Sequence, residues 1–440
     1  MRTYYRNKDG YYYYPVYYFG SFWLAVAILV LIVSSLLVKF LNISFFADIR
    51  NLALIISLIL AVAELIKIIV GSMQNNGIFK YFWSLYLADC IRKSLLNTMN
   101  INIVKNAPII EVPAVEVEFS DDKIKVYVSK LAGMSDIDKV REDIDSSFRG
   151  KYKAYAVVEA IASINGVEFS FTLEDVGTDR TFIPKTINDL VKKPYFLTLQ
   201  KGLTINLAKY PHMAVWGRTG SGKTTVLMNI IAQCFSNDTD LLFIDGKTEF
   251  SSFSVFYPSE KIVTDNADVL NLLKHVTATI MERQKIIADE VKRRKKLGLT
   301  GFDLGLKPIV VIGDEIGSIV AGMTAKEKKQ FVAYLTQIVQ KGRSVSVFLI
   351  VASQSPAVDV LPNGIRSQFS TKILLGSASG DIQRMAFDVE ITDGDVARFQ
   401  GYYIIGGTSV LPQKYFVPNL FKYGLADLQT FEKLYKHNFN

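Results

Sequence analysis

Cysteine and histidine are scarce in this 440-residue chain, which has only Cys90, Cys234 and three histidines. Two cysteines exclude a disulfide framework and a thiolate zinc cluster. His212, His275 and His437 are scattered, which removes most other zinc chemistry. Charge is sparse too, at 21%, against 50% hydrophobic residues, so a disordered chain or a collagen-like rod is ruled out. The length suits about three domains. A mean hydropathy of +0.22 is high for a soluble chain and points to an apolar segment. The net charge of +8 is unevenly spread. Residues 1–100 carry nine basic against four acidic groups, 101–200 thirteen against sixteen, and 201–440 twenty-eight against twenty-two. The two outer parts can therefore face polyanions such as lipid headgroups or nucleic acid. A reducing compartment and a membrane part are expected.

Phe22 to Val38 is an apolar run whose only polar members are two serines, and Leu52 to Val70 is a second run containing Glu64 and Lys67. Each approaches the length a helix needs to cross a bilayer. The short connection makes them a hairpin, read as a retained anchor and not a cleaved signal. Arg2, Arg6 and Lys8 precede it, and Lys80, Arg92 and Lys93 follow. That bias favours both termini in the cytoplasm. Glu64 and Lys67 lie three apart and read as a mutually paired or snorkelling couple. Eight tyrosines in residues 4–18, Tyr11 to Tyr14 among them, suit either a membrane-interface belt or a disordered tail. Ile78 to Met99 reads as a helix that lies on the membrane surface or serves as a linker.

From Pro108 to about Phe182 the pattern changes. Val112–Phe119, Ile124–Val128, Ala154–Ala162 and Val167–Leu173 read as strands, Asn165-Gly166 as a hairpin turn, and Asp136 to Phe148 as a helix. This is a small α+β module with no cluster of catalytic residue types. The expected domains are thus 1–75 (tail and membrane hairpin), 76–107 (linker or interfacial helix), 108–182 (the module) and 183–440 (described next).

The most informative stretch follows Pro211. A short apolar strand, Met213 to Trp216, runs into Gly217, Arg218, Thr219, Gly220, Ser221, Gly222, Lys223, Thr224 and Thr225, and then into a helical pattern. This is G-x-x-x-x-G-K-[ST] in its strand–loop–helix context. The loop turns its N–H groups inward around phosphates, and the helix N-terminus adds its dipole. Lys223 then neutralises the β- and γ-phosphates of ATP, and Thr224 puts its hydroxyl on Mg²⁺. A second apolar strand, from Pro308, ends in Asp314 and Glu315. Asp314 suits a magnesium-bound water, and Glu315 suits orienting the attacking water and taking its proton. Leu241–Ile244, Val345–Ala352 and Thr371–Leu375 supply further buried strands. Gln354, just past one strand tip, fits either a γ-phosphate sensor or a turn-capping amide. Strands alternating with helices predict an α/β fold with a parallel sheet covered on both faces. The extra strand between the two motifs is the layout of RecA-like P-loop motors, which form rings.

Five blocks in order, LAKYPHMAVWGRTGSGKTT, LFIDGKTEFSSF, IVVIGDE, QKGRSVSVFLIVASQSPAVDVLPNGIRSQF and GDIQRMAF, resemble the FtsK/SpoIIIE family of DNA translocases over about residues 195–420. With two spans, no long linker and an expected end soon after the motor, the layout is similar to the TcpA-like coupling proteins of Gram-positive conjugative elements. The resemblance implies an ATP-driven DNA translocase in a hexameric ring, working with relaxase and channel proteins. It leaves open whether the DNA is single- or double-stranded. It puts Arg343 at an arginine-finger position acting on a neighbour's phosphate, with Arg366 and Arg384 as weaker candidates for that or a DNA contact. Protein secretion of the type VII kind, and a DNA pump outside conjugation, are the alternative functions. The run Lys292 to Lys296 reads either as a solvated helix end or as a phosphate-tracking loop.

Overall fold

The computed structural model describes the chain outside residues 1, 7, 9–11, 16–18, 42–43, 99–108, 121–122, 132–133, 135, 150–151, 164–165, 357–360, 392–395, 407–410 and 438–440. Asn165 of the expected Asn165-Gly166 turn and three of the eight N-terminal tyrosines therefore lie outside the described residues. The chain divides into two compact units, Met1–Thr178 and Asp179–Asn440.

In the first unit, β1 (Arg2–Arg6) and β2 (Tyr12–Tyr13) precede the helices α1 (Gly20–Leu41), α2 (Ser44–Gln74) and α3 (Ile78–Thr98). α1 and α2 are long and apolar enough to cross a membrane, and 11% of each apolar window is buried. Lys67 Nζ donates to Glu64 Oε1 at 2.8 Å, so the two charges in this apolar run satisfy each other. Then come β3 (Ile109–Val112), β4 (Val115–Ser120), β5 (Lys123–Ser129), α4 (Ile137–Ser147), β6 (Tyr155–Ala162) and β7 (Glu168–Asp175). β4 to β7 form an antiparallel sheet in the order β4-β5-β7-β6. Its buried face alternates along the strands, as Val115, Val117 and Phe119 show. Asp136 caps α4 by accepting from the backbone N–H of Asp138 and Lys139.

Two features of this unit differ from the sequence-based expectation. Tyr4 and Tyr5 belong to no loose tail, because β1 pairs antiparallel with β3 from Arg2↔Val112 to Tyr5↔Ile109, burying Tyr4. Tyrosine favours strands, but the partner is over a hundred residues away and invisible to local reading. α3 is likewise more than a linker. Leu87, Ala88, Ile91 and Leu95 pack into the core of the small sheet, and Arg92 Nη2 donates to the Val115 carbonyl at 2.7 Å.

The second unit opens with a short turn α5 (Ile187–Leu190) and a hairpin, β8 (Phe196–Gln200) and β9 (Leu203–Asn206). The alternating part follows: β10 (Met213–Gly217), α6 (Lys223–Ser236), β11 (Asp240–Asp245), β12 (Ile262–Val263), α7 (Asn266–Arg294), β13 (Ile309–Asp314), α8 (Ile316–Ala321), α9 (Ala325–Lys341), β14 (Val347–Ser353), α10 (Asn363–Arg366), β15 (Thr371–Leu375) and α11 (Gly380–Phe387). The chain ends in β16 (Gln400–Ile405), β17 (Gln413–Phe416) and α12 (Leu428–His437). The sheet order is β12-β11-β13-β14-β10-β15-β16-β17. Every pairing from β12 to β15 is parallel, whereas β16 and β17 run antiparallel. The expected parallel sheet is thus present, extended at one side by two antiparallel strands that return as a hairpin.

Successive side chains of each central strand enter opposite cores. Met213 and Val215, with Val310, Ile312, Phe348 and Ile350, pack beneath α6 and α12. Ala214 and Trp216, with Val311, Leu349 and Val351, pack beneath α7 and α9. Trp216 and Phe243 are fully buried, and truncating either to alanine is expected to cost about 3–5 kcal/mol. His212 is buried at the start of β10, where its Nδ1 accepts from the Leu349 N–H at 3.0 Å. Burial pushes its pKa down to about 4, so it is a neutral core group.

Candidate nucleotide site

All parallel strands end at one edge of the sheet, and the sequence motifs meet there. Gly217 is the last residue of β10, and Arg218, Thr219 and Gly220 form the exposed crest of the following turn. Ser221 closes that turn, its N–H donating to the Arg218 carbonyl at 3.2 Å. Its hydroxyl is buried and without a hydrogen-bond partner, as suits a group that faces a polar ligand. Gly222 takes φ +108, and a Cβ there would stand 3.0 Å from Val417 and 3.2 Å from Phe399. Only glycine fits both the backbone angle and the contact.

Lys223, Thr224 and Thr225 form the first turn of α6, whose free N–H groups face the loop. The Lys223 ammonium donates to the carbonyls of Gly217 at 2.6 Å and Arg218 at 3.3 Å. Burial lowers its pKa, while Glu315 and Asp314 act in the opposite direction. The lysine and the two carboxylates are therefore electrostatic neighbours.

Asp314 is the last residue of β13 and is nearly inaccessible. Burial raises its pKa to about 6, reinforced by Glu249, Glu315 and Asp245 and opposed by Lys247. Glu315 follows in the left-handed region at φ 45, as the N-cap residue of α8. A non-glycine residue there carries strain of about 1–3 kcal/mol, which aims the side chain out of the sheet edge. Its N–H still bonds to Ala352 of the neighbouring strand at 3.0 Å. Its carboxylate accepts from Lys247 Nζ at 2.8 Å, and this ion pair raises the lysine pKa.

Lys247 and Glu249 carried no assigned role in the sequence reading. The available signal was register: β11 pairs with β13 so that Asp245 lies beside Asp314, and whatever follows Asp245 must face Glu315. Asp245 itself is fully buried and organises this turn. Its carboxylate accepts from the backbone N–H of Glu249, Phe250 and Ser251 at 3.1, 2.8 and 3.1 Å. Gly246 packs so closely that a Cβ would lie 2.6 Å from the Glu315 carbonyl.

Gln354 is the first residue past β14, exposed at the same edge. Arg343 is elsewhere. It sits in a 3₁₀ turn before β14, at the opposite end of the sheet from its own phosphate loop, and its Nε donates to the Ala208 carbonyl at 3.3 Å. Arg366 is buried, donating to the carbonyls of Pro356 at 2.6 Å and Met385 at 3.2 Å and to the Asn363 side chain. It is structural and not a free cation. Arg384 is exposed and ion-paired with Asp381 and Glu390. In the basic run, Lys292, Arg293 and Arg294 pair with Asp289 and Glu290 on the same helix.

Among the described residues no three His, Cys, Asp or Glu side chains converge as a metal cage. The donors present are one buried carboxylate, Asp314, and the Thr224 hydroxyl. Hard oxygen donors in that small number fit Mg²⁺, which takes its remaining ligands from water and phosphate.

Residues 196–301 match the model of the FtsK/SpoIIIE family. The phosphate-loop part of the second unit is thus similar to that family. The FtsK domain-containing protein YdcQ of Bacillus subtilis is 32% identical over 233 residues, 51% of this chain and 47% of that protein. The DNA translocase FtsK of Campylobacter jejuni (strain 81-176) is 30% identical over 199 residues, 41% of this chain and 20% of that protein. The chain therefore spans half or less of these curated relatives. Among solved structures, the pCW3 conjugation coupling protein TcpA, a monomer form with ATPγS, aligns with TM-score 0.48 and 13% identity, over 79% of this chain and 99% of that one.

Proposed function

We propose that this chain is a membrane-anchored, ATP-driven DNA translocase that serves as a coupling protein in conjugative DNA transfer. The observation that carries the proposal is the convergence of Asp314 and Glu315 on the sheet edge that holds Lys223, whose own stretch, residues 196–301, matches the FtsK/SpoIIIE family model. The relatives named as DNA translocases support DNA as the substrate. The two apolar helices support the membrane anchor, and the conjugative role, with relaxase and channel proteins as further partners, is part of the same proposal.

In this reading the loop amides of residues 218–223 and the α6 dipole hold the triphosphate. Lys223 leaves its carbonyl partners to neutralise the β- and γ-oxygens. Thr224, and Asp314 through water, would hold Mg²⁺, which when bound would supply further positive charge against the phosphates. Glu315 orients the attacking water and accepts its proton as the oxygen bonds to the γ-phosphorus and the bond to the β-γ bridging oxygen breaks. Gln354, on the adjacent strand tip, is the proposed hydrogen-bond partner of the γ-phosphate. Lys247 orients Glu315.

The test is the ATPase rate of the full chain in detergent, with and without single- or double-stranded DNA. Mg²⁺-dependent hydrolysis that DNA stimulates, and that Lys223→Ala abolishes, is expected. Hydrolysis indifferent to both kinds of DNA would remove the translocase reading while leaving an ATPase.

Because Arg343 lies far from its own loop, its proposed place is at a neighbour's γ-phosphate in a hexameric ring around DNA. An arginine supplied in trans contributes about 10³–10⁵ in rate in other P-loop enzymes. Arg343→Ala and Lys223→Ala subunits, each inactive, should partly restore hydrolysis when mixed. Co-assembled rings that show no recovery would exclude Arg343 from that role.

A further inference from the structure

The first turns of α3 keep large aromatic side chains in the open. Phe79 is 82% exposed, Phe82 51% and Tyr86 59%, whereas Leu87, Ala88, Ile91 and Leu95 further along the helix are buried in the core of the small sheet. An exposed apolar run of this kind marks a contact surface. Only Asn75 to Gly77 separate α3 from the apolar helix α2. The Tyr81 ring lies against Gly71, where a Cβ would stand 2.1 Å from it. Asn75 Nδ2 donates to the Gly71 carbonyl at 2.9 Å, and its Oδ1 accepts from the Phe119 N–H of β4 at 3.0 Å. The end of α2, the start of α3 and β4 are therefore tied together at one point.

A cavity of about 450 Å³ lies beside that knot, lined among others by Trp83, Tyr86, Cys90, Lys93, Arg149 and Tyr152. The first four recur at helical spacing and share one face of α3. Arg149 and Tyr152 come from the turn after α4. The Tyr152 ring joins the cavity to the knot, standing 5.5 Å from the Trp83 ring and 5.6 Å from that of Phe119. Among the described residues the only charged groups in the lining are two cations, Lys93 and Arg149. Arg149 is exposed and has no ion pair among the described residues. Lys93 holds Asp89 at 2.8 Å, in a pair exposed enough to exchange for another anion. A hydrogen bond with Cys90 raises the Tyr86 pKa, and Lys93 and Arg149 both act against it, so the two cations reach one hydroxyl from two elements. The neighbouring carboxylate of Asp143 is buried and accepts from the Ser94 hydroxyl at 3.4 Å.

We propose that this cavity seats the phosphate headgroup of an anionic phospholipid, with Lys93 and Arg149 on the phosphate and Trp83, Tyr86 and Tyr152 against the glycerol and first acyl carbons. The inference rests on the membrane-anchor reading of α1 and α2. On that reading the end of α2 lies at the headgroup layer, which is where exposed tryptophan and tyrosine side chains settle. Two walls of the cavity, Trp83 and Tyr86, belong to that exposed aromatic run, which a dissolved anion does not need. Cations at this depth gain from the negative charge of the leaflet. A guanidinium adds paired N–H donors that match phosphate oxygens. The volume lies within the range of small-ligand pockets.

The test uses the full chain purified in detergent, with native mass spectrometry of the lipid it retains from an equimolar mixture of phosphatidylglycerol and phosphatidylcholine with the same acyl chains. Wild type should retain phosphatidylglycerol over phosphatidylcholine about fivefold or more. Lys93→Gln combined with Arg149→Gln should bring that ratio to about one. The melting temperature should hold, because both side chains are exposed. Arg149→Gln alone, which leaves the pair of Lys93 with Asp89 intact, should already lower the ratio, and Arg149→Lys should restore it. Lys80→Gln removes a cation of the same helix outside the cavity and should leave the ratio unchanged. A wild-type ratio near unity would overturn the lipid site, as would a ratio that survives the double variant. So would a ratio lowered equally by Lys80→Gln, the mark of diffuse attraction to an anionic surface. Excess inorganic phosphate that erases the ratio would assign the cavity to a dissolved anion, and a DNA duplex that erases it would assign it to nucleic acid; either result overturns the lipid. A chain that stays in solution without detergent is a different result, which overturns the anchor reading and this proposal with it.

Discussion

The strands on one flank of the phosphate loop end in charge, and those on the other end in aromatic rings. Asp314, Glu315, Lys247 and Glu249 crowd the first flank, whereas Phe399, Val417, Pro418 and Phe416 line the second. Both flanks use the same backbone device, a non-glycine residue held in the left-handed region, Glu315 at φ 45 and Phe399 at φ 63. On the nucleotide reading, the chemistry differs because the two ends of a nucleotide differ. A transferring phosphoryl group needs fixed charges in a dry site, while a base needs a flat apolar face. In both places strain persists where one side chain must be aimed.

That contrast can be broken one flank at a time. The largest effect is expected from Glu315→Gln, which keeps size and hydrogen bonding but removes the proton acceptor. Turnover should fall by about 10²–10⁴ with ATP still bound, as single-turnover kinetics beside a binding isotherm would show. Wild-type turnover would take Glu315 out of the mechanism.

Next is Asp314→Asn, which should lose Mg²⁺-dependent hydrolysis yet make the fold more stable. The sign follows from the raised native pKa. An aspartate near 3.8 when unfolded and about 6 when folded is ionised at neutral pH at the native state's expense. That penalty is fully present above about pH 6 and fades as the pH falls toward 4. Asparagine removes it, for a gain of about 1–3 kcal/mol at pH 7.5 that disappears near pH 4. Denaturant titrations of both proteins at the two pH values measure it; a gain that persists undiminished at pH 4 would contradict a charge origin.

The smallest effect is expected from Lys247→Ala. The Lys247 ammonium holds the Glu315 carboxylate in a 2.8 Å ion pair, so its proposed part is to orient the base without meeting phosphate. Turnover should change by less than about tenfold with KM unaltered. A large rise in KM would mean that Lys247 contacts the nucleotide directly.

Sequence reading reached these two flanks unequally. The phosphate loop and the Asp314-Glu315 pair are contiguous motifs whose spacing encodes their geometry, and the buried strands around them announce themselves as apolar runs. Lys247 becomes visible only when the register of β11 against β13 sets Asp245 beside Asp314. Phe399 is harder still, since its neighbours Thr225, Val417 and Asp179 come from remote parts of the chain. The same distance hid the pairing of β1 with β3, where Tyr4 lies opposite Ile110. Arg366 shows the reverse error, for its family position suggested a working cation and its burial against carbonyls makes it a loop staple.

Steady-state ATP hydrolysis by the full chain, with Glu315→Gln and Phe399→Asn compared side by side, tests the division of the site most directly. The account predicts that Glu315→Gln lowers kcat with KM little changed, and that Phe399→Asn raises KM about tenfold with kcat within about threefold. If both substitutions act on the same parameter, the two flanks do not divide the nucleotide between them.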